Sequence, residues 1–209
     1  MKLLAFDTCL DKTYIVLRDE DNILTSKILE SDEKNYHSAY LISTISKILK
    51  ENNLTPKDIE GIAINIGPGS FTGIRACTTV ARVMAQQLNI KALGVSSLEI
   101  LSKACDDKYV VALDARKNKA YLYAGKLLGA VELEEVDKLV KGRDIITDDR
   151  LFERFKELGN NVISYQKADF DLGRVLSDIA ITRIKEQECD WHKLLPLYIQ
   201  PPPVTIKKK

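Results

Sequence analysis

Apolar residues open this chain in short runs broken by turn residues. Residues 3–8, 14–18 and 23–29 read as three strands, with Asp11-Lys12 and Asp19-Glu20-Asp21-Asn22 at the joints, residue types that suit tight turns. The period then lengthens. Leu41, Ile45, Ile48 and Leu49, with Ile42 widening the stripe, predict a helix over about 35–53, because side chains three and four apart share a helix face. Thr55-Pro56-Lys57-Asp58 has the form of a cap with proline at the first helical position. A continuous apolar strand at 61–66, a helix at 71–88, a strand at 90–95 and a helix at 97–105 complete a βββαβαβα order. A meander followed by alternation predicts a mixed sheet flanked by helices.

The pattern then starts again. Leu4-Ala5-Phe6-Asp7 lies over Val111-Ala112-Leu113-Asp114 at an offset of 107 residues, and the same offset sets Lys12 on Lys119 and Tyr14 on Tyr121. A third strand near 130–133, a helix at 133–140, a strand at 144–147, a helix at 151–158, a strand at 162–165 and a helix at 172–188 follow. The reading is an internal duplication. Residues 1–106 form an N-terminal lobe. Residues 107–209 form a smaller, degenerate second lobe, ending in an arm with Pro201-Pro202-Pro203 that favours an extended segment.

Composition narrows the function. Thirty-one basic against 30 acidic residues leave a net charge of +1, so no overall field recruits nucleic acid or an anionic membrane. The four cysteines, Cys9, Cys77, Cys105 and Cys189, stand far apart without a C-x-x-C pair, which suits free thiols in a reducing compartment. The opening apolar run stops at Asp7, too short for a signal peptide, and no stretch approaches ~18 apolar residues. A cytoplasmic location and no membrane association are expected. His37 and His192 are the two histidines and are distant in sequence, so no metal site is expected.

The chemistry centres on Gly67-Pro68-Gly69-Ser70-Phe71-Thr72-Gly73, between the buried strand and the second long helix. Glycines permit a tight turn and close approach to the backbone, and first-turn N–H groups of a helix favour an anion. Gly67, Gly69, Ser70, Thr72 and Gly73, with Asp7 and Thr8 at the end of the first strand, are therefore candidates for nucleotide or anion binding. The competing reading is a sharp turn that caps its own helix through Ser70, since no P-loop lysine follows. The G-x-S-x-G elbow of a serine hydrolase is absent. Glu134-Glu135 and Asp148-Asp149 are adjacent carboxylates expected to be solvated.

Two lobes, each opening with a strand that ends in Asp and a hairpin, resemble the RNase H-like, actin-like ATPase superfamily. Ala5-Phe6-Asp7-Thr8, the stretch Ile64-Asn65-Ile66 through Gly73-Ile74-Arg75, Gly94-Val95-Ser96-Ser97-Leu98-Glu99 and Ala112-Leu113-Asp114-Ala115-Arg116 narrow this to the TsaB family, covering about the first 125 residues. That resemblance implies a non-catalytic subunit for making threonylcarbamoyladenosine in tRNA. Such a chain binds and activates TsaD, helps form the site of the ATPase TsaE, pairs with itself when alone, and contacts tRNA indirectly. No cofactor is implied for the isolated chain, and ATP or ADP belongs to the interface of the complex.

The resemblance also points away from catalysis. TsaD-type enzymes carry a metal-binding His-x-x-x-His pair where this chain has Ser97 and Leu101, and leucine cannot bind a metal. The second hairpin, Asp114-Ala115-Arg116-Lys117-Asn118-Lys119, has no glycine to admit a triphosphate. A peptidase or an autonomous ATP-dependent phosphotransferase is therefore the rival, not the first reading. Partner contact is expected through Tyr36, His37 and Tyr40 near the first helix, and through Arg75, Thr79, Arg82, Val83 and Gln86 on the second.

Overall fold

A computed structural model describes residues 1–30 and 40–200. Strands β1 (Lys2–Asp7), β2 (Thr13–Asp19) and β3 (Asn22–Leu29) form the meander. Helix α1 (Leu41–Glu51), a 3₁₀ turn (Pro56–Asp58), β4 (Gly61–Asn65), α2 (Phe71–Leu88), β5 (Lys91–Val95) and α3 (Ser97–Ala104) complete the first unit. Residues 35–39 of the expected first helix lie outside the described residues, as do Tyr36, His37 and Pro201-Pro202-Pro203. The second unit comprises β6 (Val110–Arg116), β7 (Lys119–Tyr123), β8 (Leu127–Glu132), α4 (Leu133–Val140), β9 (Ile145–Thr147), α5 (Asp149–Glu157), β10 (Val162–Ser164) and α6 (Leu172–Glu186). A short 3₁₀ turn (Trp191–Lys193) precedes the chain end.

Two five-stranded sheets result, ordered β3-β2-β1-β4-β5 and β8-β7-β6-β9-β10. The orders match element by element, so the duplication expected from the offset is present in the fold. In each sheet the meander strands pair antiparallel, and the strands joined through helices pair parallel.

Alternation along β1 decides the layering. Leu4 and Phe6 join Ile45 and Ile48 of α1 and Ile74 and Ala81 of α2 in one core. Leu3 and Ala5 face the other way, into a core that also holds Val111, Leu113 and Ile146 of the second sheet. Two helices fill the space between the sheets, and each has crossed over. Helix α3 follows β5 yet packs on β6 and β7; α6 follows β10 yet packs on β1, β2, β4 and β5. The two pack on each other, with Leu98, Leu101, Leu176, Ala180 and Ile184 in that shared core. Arg18, 4% exposed, fastens β2 to α6 by donating to Asp178 at 2.6 Å and Ser177 Oγ at 3.1 Å.

Candidate functional site at the glycine turn

The turn between β4 and α2 lies against the hairpin that follows β1. Gly69 and Gly73 are there for contact with that hairpin, whereas Gly67 has a positive φ of 100°. A Cβ on Gly73 would sit 1.8 Å from Thr8 O, and one on Gly69 would sit 2.2 Å from Cys9 O. Ser70 N donates to Cys9 O at 2.6 Å, and Thr8 Oγ1 donates to Gly73 O at 2.8 Å. The close approach that glycine permits is taken up by the chain's own backbone. Ser70 caps α2, its Oγ accepting from Gly73 N at 3.3 Å. Thr72 is exposed on the first turn, and the Gly67–Pro68 bond is cis.

Beneath the turn is a buried polar network. Asp7, 1% exposed, accepts from Cys9 N at 2.6 Å and from Asn65 Nδ2 at 2.8 Å. Burial pushes its carboxyl up to about 6, against the downward pull of those two hydrogen bonds. Asn65 Oδ1 accepts from Gly67 N at 2.8 Å and lies 2.9 Å from Ser97 Oγ. Ser97 Oγ is also 2.7 Å from Pro68 O; its single proton serves one acceptor at a time. Ser97 and Leu101 are fully buried. At the two positions where the resemblance puts metal-binding histidines, the chain thus has a hydroxyl that pins the glycine turn and a core leucine. The cap of α3 is Ser96, whose Oγ accepts from Glu99 N.

Two thiols belong to this network, and sequence spacing gave no hint of them as a pair. Cys77 Sγ accepts from Thr8 N at 3.2 Å, and Cys9 Sγ donates to Asn65 O at 3.1 Å. The donor atoms of Asp7, Cys9 and Cys77 all lie within 4.8 Å of one another.

A cleft of about 330 Å³ separates the glycine turn from the second hairpin, with Cys9, Pro68, Gly69 and Ser70 facing Asp114, Arg116, Asp148 and Tyr165. Asp148 departs from the expected solvated carboxylate. It caps α5, accepting from Arg150 N and Leu151 N, and from Asp114 N at 2.6 Å; burial raises its carboxyl. Glu134, Glu135 and Asp149 are exposed, as expected. The second hairpin turns through Lys117 and Asn118, with φ of 50° and 61°, after a bulge between Asp114 and Arg116, where Arg116 too has a positive φ of 64°. Two successive positive φ values give the primed turn that suits a two-residue hairpin. Arg116 and Arg150 flank Asp114 at 3.7 and 3.2 Å, so the cationic side chains here are already engaged by carboxylate.

Among the candidate contact residues, Thr79 and Val83 line an apolar groove of about 910 Å³ between α1 and α2, with Ile42, Ile45, Leu49, Val80, Met84 and Leu88. Ile42 is 64% exposed and Val83 53%. Arg75, Arg82 and Gln86 run along the neighbouring ridge. Arg75 stacks over the Phe71 ring at 3.9 Å and donates to Tyr198 Oη, while Arg82 faces Trp191. Tyr40 is exposed just ahead of α1. The start of the terminal arm packs on the glycine turn, Leu197 N donating to Ile66 O.

The family described as "TsaD: tRNA N6-adenosine threonylcarbamoyltransferase" matches residues 24–166. The chain belongs to the TsaD family. Within it, the similarity expected from the motifs is to TsaB proteins. The tRNA threonylcarbamoyladenosine biosynthesis protein TsaB of Buchnera aphidicola subsp. Schizaphis graminum is 31% identical over 124 residues, covering 57% of this chain and 58% of that protein. The TsaB of Bacillus subtilis is 32% identical over 124 residues, covering 58% and 53%. The chain spans about half the length of the curated relatives it matches. YeaZ from Pseudomonas aeruginosa superposes with a TM-score of 0.73 at 22% identity, over 94% of this chain and 99% of that one, a likeness of fold. Among the described residues no helix is long and apolar enough to cross a membrane.

Proposed function

We propose that this member of the TsaD family serves tRNA threonylcarbamoyladenosine biosynthesis as a non-catalytic subunit that docks a TsaD-type enzyme through α1 and α2. The observation that carries this reading is the apolar α1–α2 groove, whose open residues Ile42 and Val83 no described part of the chain covers. Large exposed apolar patches mark interaction surfaces, and a helix pair presents them at the spacing a partner helix needs. The glycine turn supports the same reading from the other side. Its backbone is spent on Thr8 and Cys9, so it holds α2 rigidly instead of cradling a phosphate.

In this reading the isolated chain pairs with itself through the same groove, ATP or ADP is bound by the assembled complex, TsaE joins at the composite surface, and tRNA is held mainly by TsaD. Mixing the purified chain with TsaD is expected to give a heterodimer on gel filtration, and Ile42→Asp or Val83→Asp to abolish it. Modification of tRNA by TsaD is expected to depend on the chain and to fail with either variant. A wild-type chain that forms no complex at micromolar concentration sinks the proposal. Turnover of ATP onto a small acceptor by the chain alone revives the phosphotransferase reading.

A further inference from the structure

We propose that Asp7, Cys9 and Cys77 form a binding site for one zinc-class divalent metal ion, beside the cleft between the lobes. The three residues come from three places, the end of β1, the hairpin after it and the second turn of α2. Their donor atoms converge to within 4.8 Å of one another. Zinc holds sulfur at about 2.3 Å and oxygen at about 2.0 Å in a tetrahedron, which sets donor atoms roughly 3.3–3.8 Å apart; shifts of an ångström or less close the gap. Two sulfurs and one carboxylate suit zinc or cobalt, whereas magnesium and calcium prefer oxygen alone.

The surroundings fit a metal–thiolate centre. Thr8 N already donates to Cys77 Sγ, and Asn65 Nδ2 and Cys9 N orient the carboxylate, the outer hydrogen bonds that fix ligands in such sites. Two oxygens stand ready for the fourth position. Thr8 Oγ1 is 3.2 Å from Cys77 Sγ, and Asn65 O is 3.1 Å from Cys9 Sγ, freed once that thiol loses its proton. Both thiol protons leave to solvent as the ion binds. Cys9, 1% exposed, is one of the residues that line the cleft. The site is separate from the Ser97 and Leu101 positions and from the two histidines on which the expectation of no metal site rested. An ion here clamps the first hairpin to α2, the helix that carries the groove.

The test is a titration of the full-length, reduced, chelator-stripped protein with Co²⁺. One ion per chain is expected, with the intense visible bands of tetrahedral cobalt and an ultraviolet thiolate-to-cobalt band, both erased by stoichiometric Zn²⁺. Cys9→Ser and Cys77→Ser are expected to lose the thiolate band and Asp7→Asn to weaken binding at least tenfold, with folding followed by circular dichroism. Cys105→Ser and Cys189→Ser are expected to keep the spectrum. If a serine variant fails to fold, wild-type protein in mild urea supplies the readout: zinc is expected to slow alkylation of Cys9 and Cys77 but not of Cys105 or Cys189. Absence of the thiolate band in wild type, its loss with Cys105→Ser or Cys189→Ser, equal alkylation with and without zinc, or isolation of a Cys9–Cys77 disulfide in place of bound metal overturns the proposal. None of these outcomes depends on binding to TsaD.

Discussion

At the scale of single residues, Gly73 and Gly69 have the tightest surroundings of the described glycines. Gly73→Ala would drive a methyl group into Thr8 O. Because that contact is backbone on both sides, neither can move aside cheaply. The expected loss is about 3 kcal/mol or more, at the upper end of overpacking costs, read as a fall in the urea midpoint. Thr72→Ala, exposed on the adjacent position, is expected to stay within about 0.5 kcal/mol. Arg18 gives a second test. Asp178→Ala leaves its guanidinium buried with one charged partner fewer and is expected to cost about 2 kcal/mol. Arg18→Met keeps the volume and removes the charge, so it should lie closer to wild type. The sequence made the turn legible through the string Gly67–Gly73, but not its packing on the first hairpin. That packing shows only in the distance from Gly69 and Gly73 to the Thr8–Cys9 backbone. Cys9 and Cys77 were illegible as a pair for a related reason. Their proximity is made by strand β1 running beside β4, a long-range pairing that no local spacing encodes.

At the scale of elements, α1 and α2 divide their surface between core and groove. Leu41, Ile45, Ile48 and Leu49 of α1 are buried, while Ile42 stands open. Ile42→Asp should therefore leave monomer stability within about 0.5 kcal/mol while removing self-association, which analytical ultracentrifugation would show as a shift to monomer. The helices and strands themselves were readable because their periods are local. The span of α2 matches the expectation, and the strands fall within a residue or two apart from β8, which begins at Leu127, three residues before the expected 130. The shifts have local causes. Helix α5 begins at Asp149, earlier than its apolar stripe suggests, because Asp148 caps it; α6 stops at Glu186 because Gln187 is extended. What no stripe on α3 or α6 reveals is which sheet it will cover. An amphipathic pattern demands an apolar surface and is indifferent to whose it is.

At the scale of the whole molecule, that exchange of helices ties the two sheets into one core. Thermal unfolding is expected to be a single transition, with calorimetric and van't Hoff enthalpies in agreement. An ion pair on the surface adds a pH signature. Glu20 is held down to about 2, first by its hydrogen bond from Lys185 of α6 and next by the N-terminal ammonium. A carboxyl with a depressed folded pKa contributes stability above its ordinary value and loses it as pH falls through the folded one. The difference in melting temperature between wild type and Glu20→Gln should therefore be largest above pH 4.5 and shrink as pH drops toward 2. High salt should reduce it throughout, because the pair is exposed.

The crossing of α6 onto β1 has a consequence for synthesis. The ribosome delivers β1, which ends at Asp7, well before α6, which begins at Leu172 and covers the inner face of that strand. Until α6 emerges, the face bearing Leu3, Ala5 and Val16 lacks the helix that covers it, whose Leu176, Ala180 and Ile184 share its core. The first sheet can acquire α1 and α2 on one side as they appear, but it must wait for α6 before its other side is closed. Premature termination anywhere before α6 leaves an apolar sheet open to aggregation, so fragments that end short of Glu186 are expected in the insoluble fraction even when they contain every residue of the first unit.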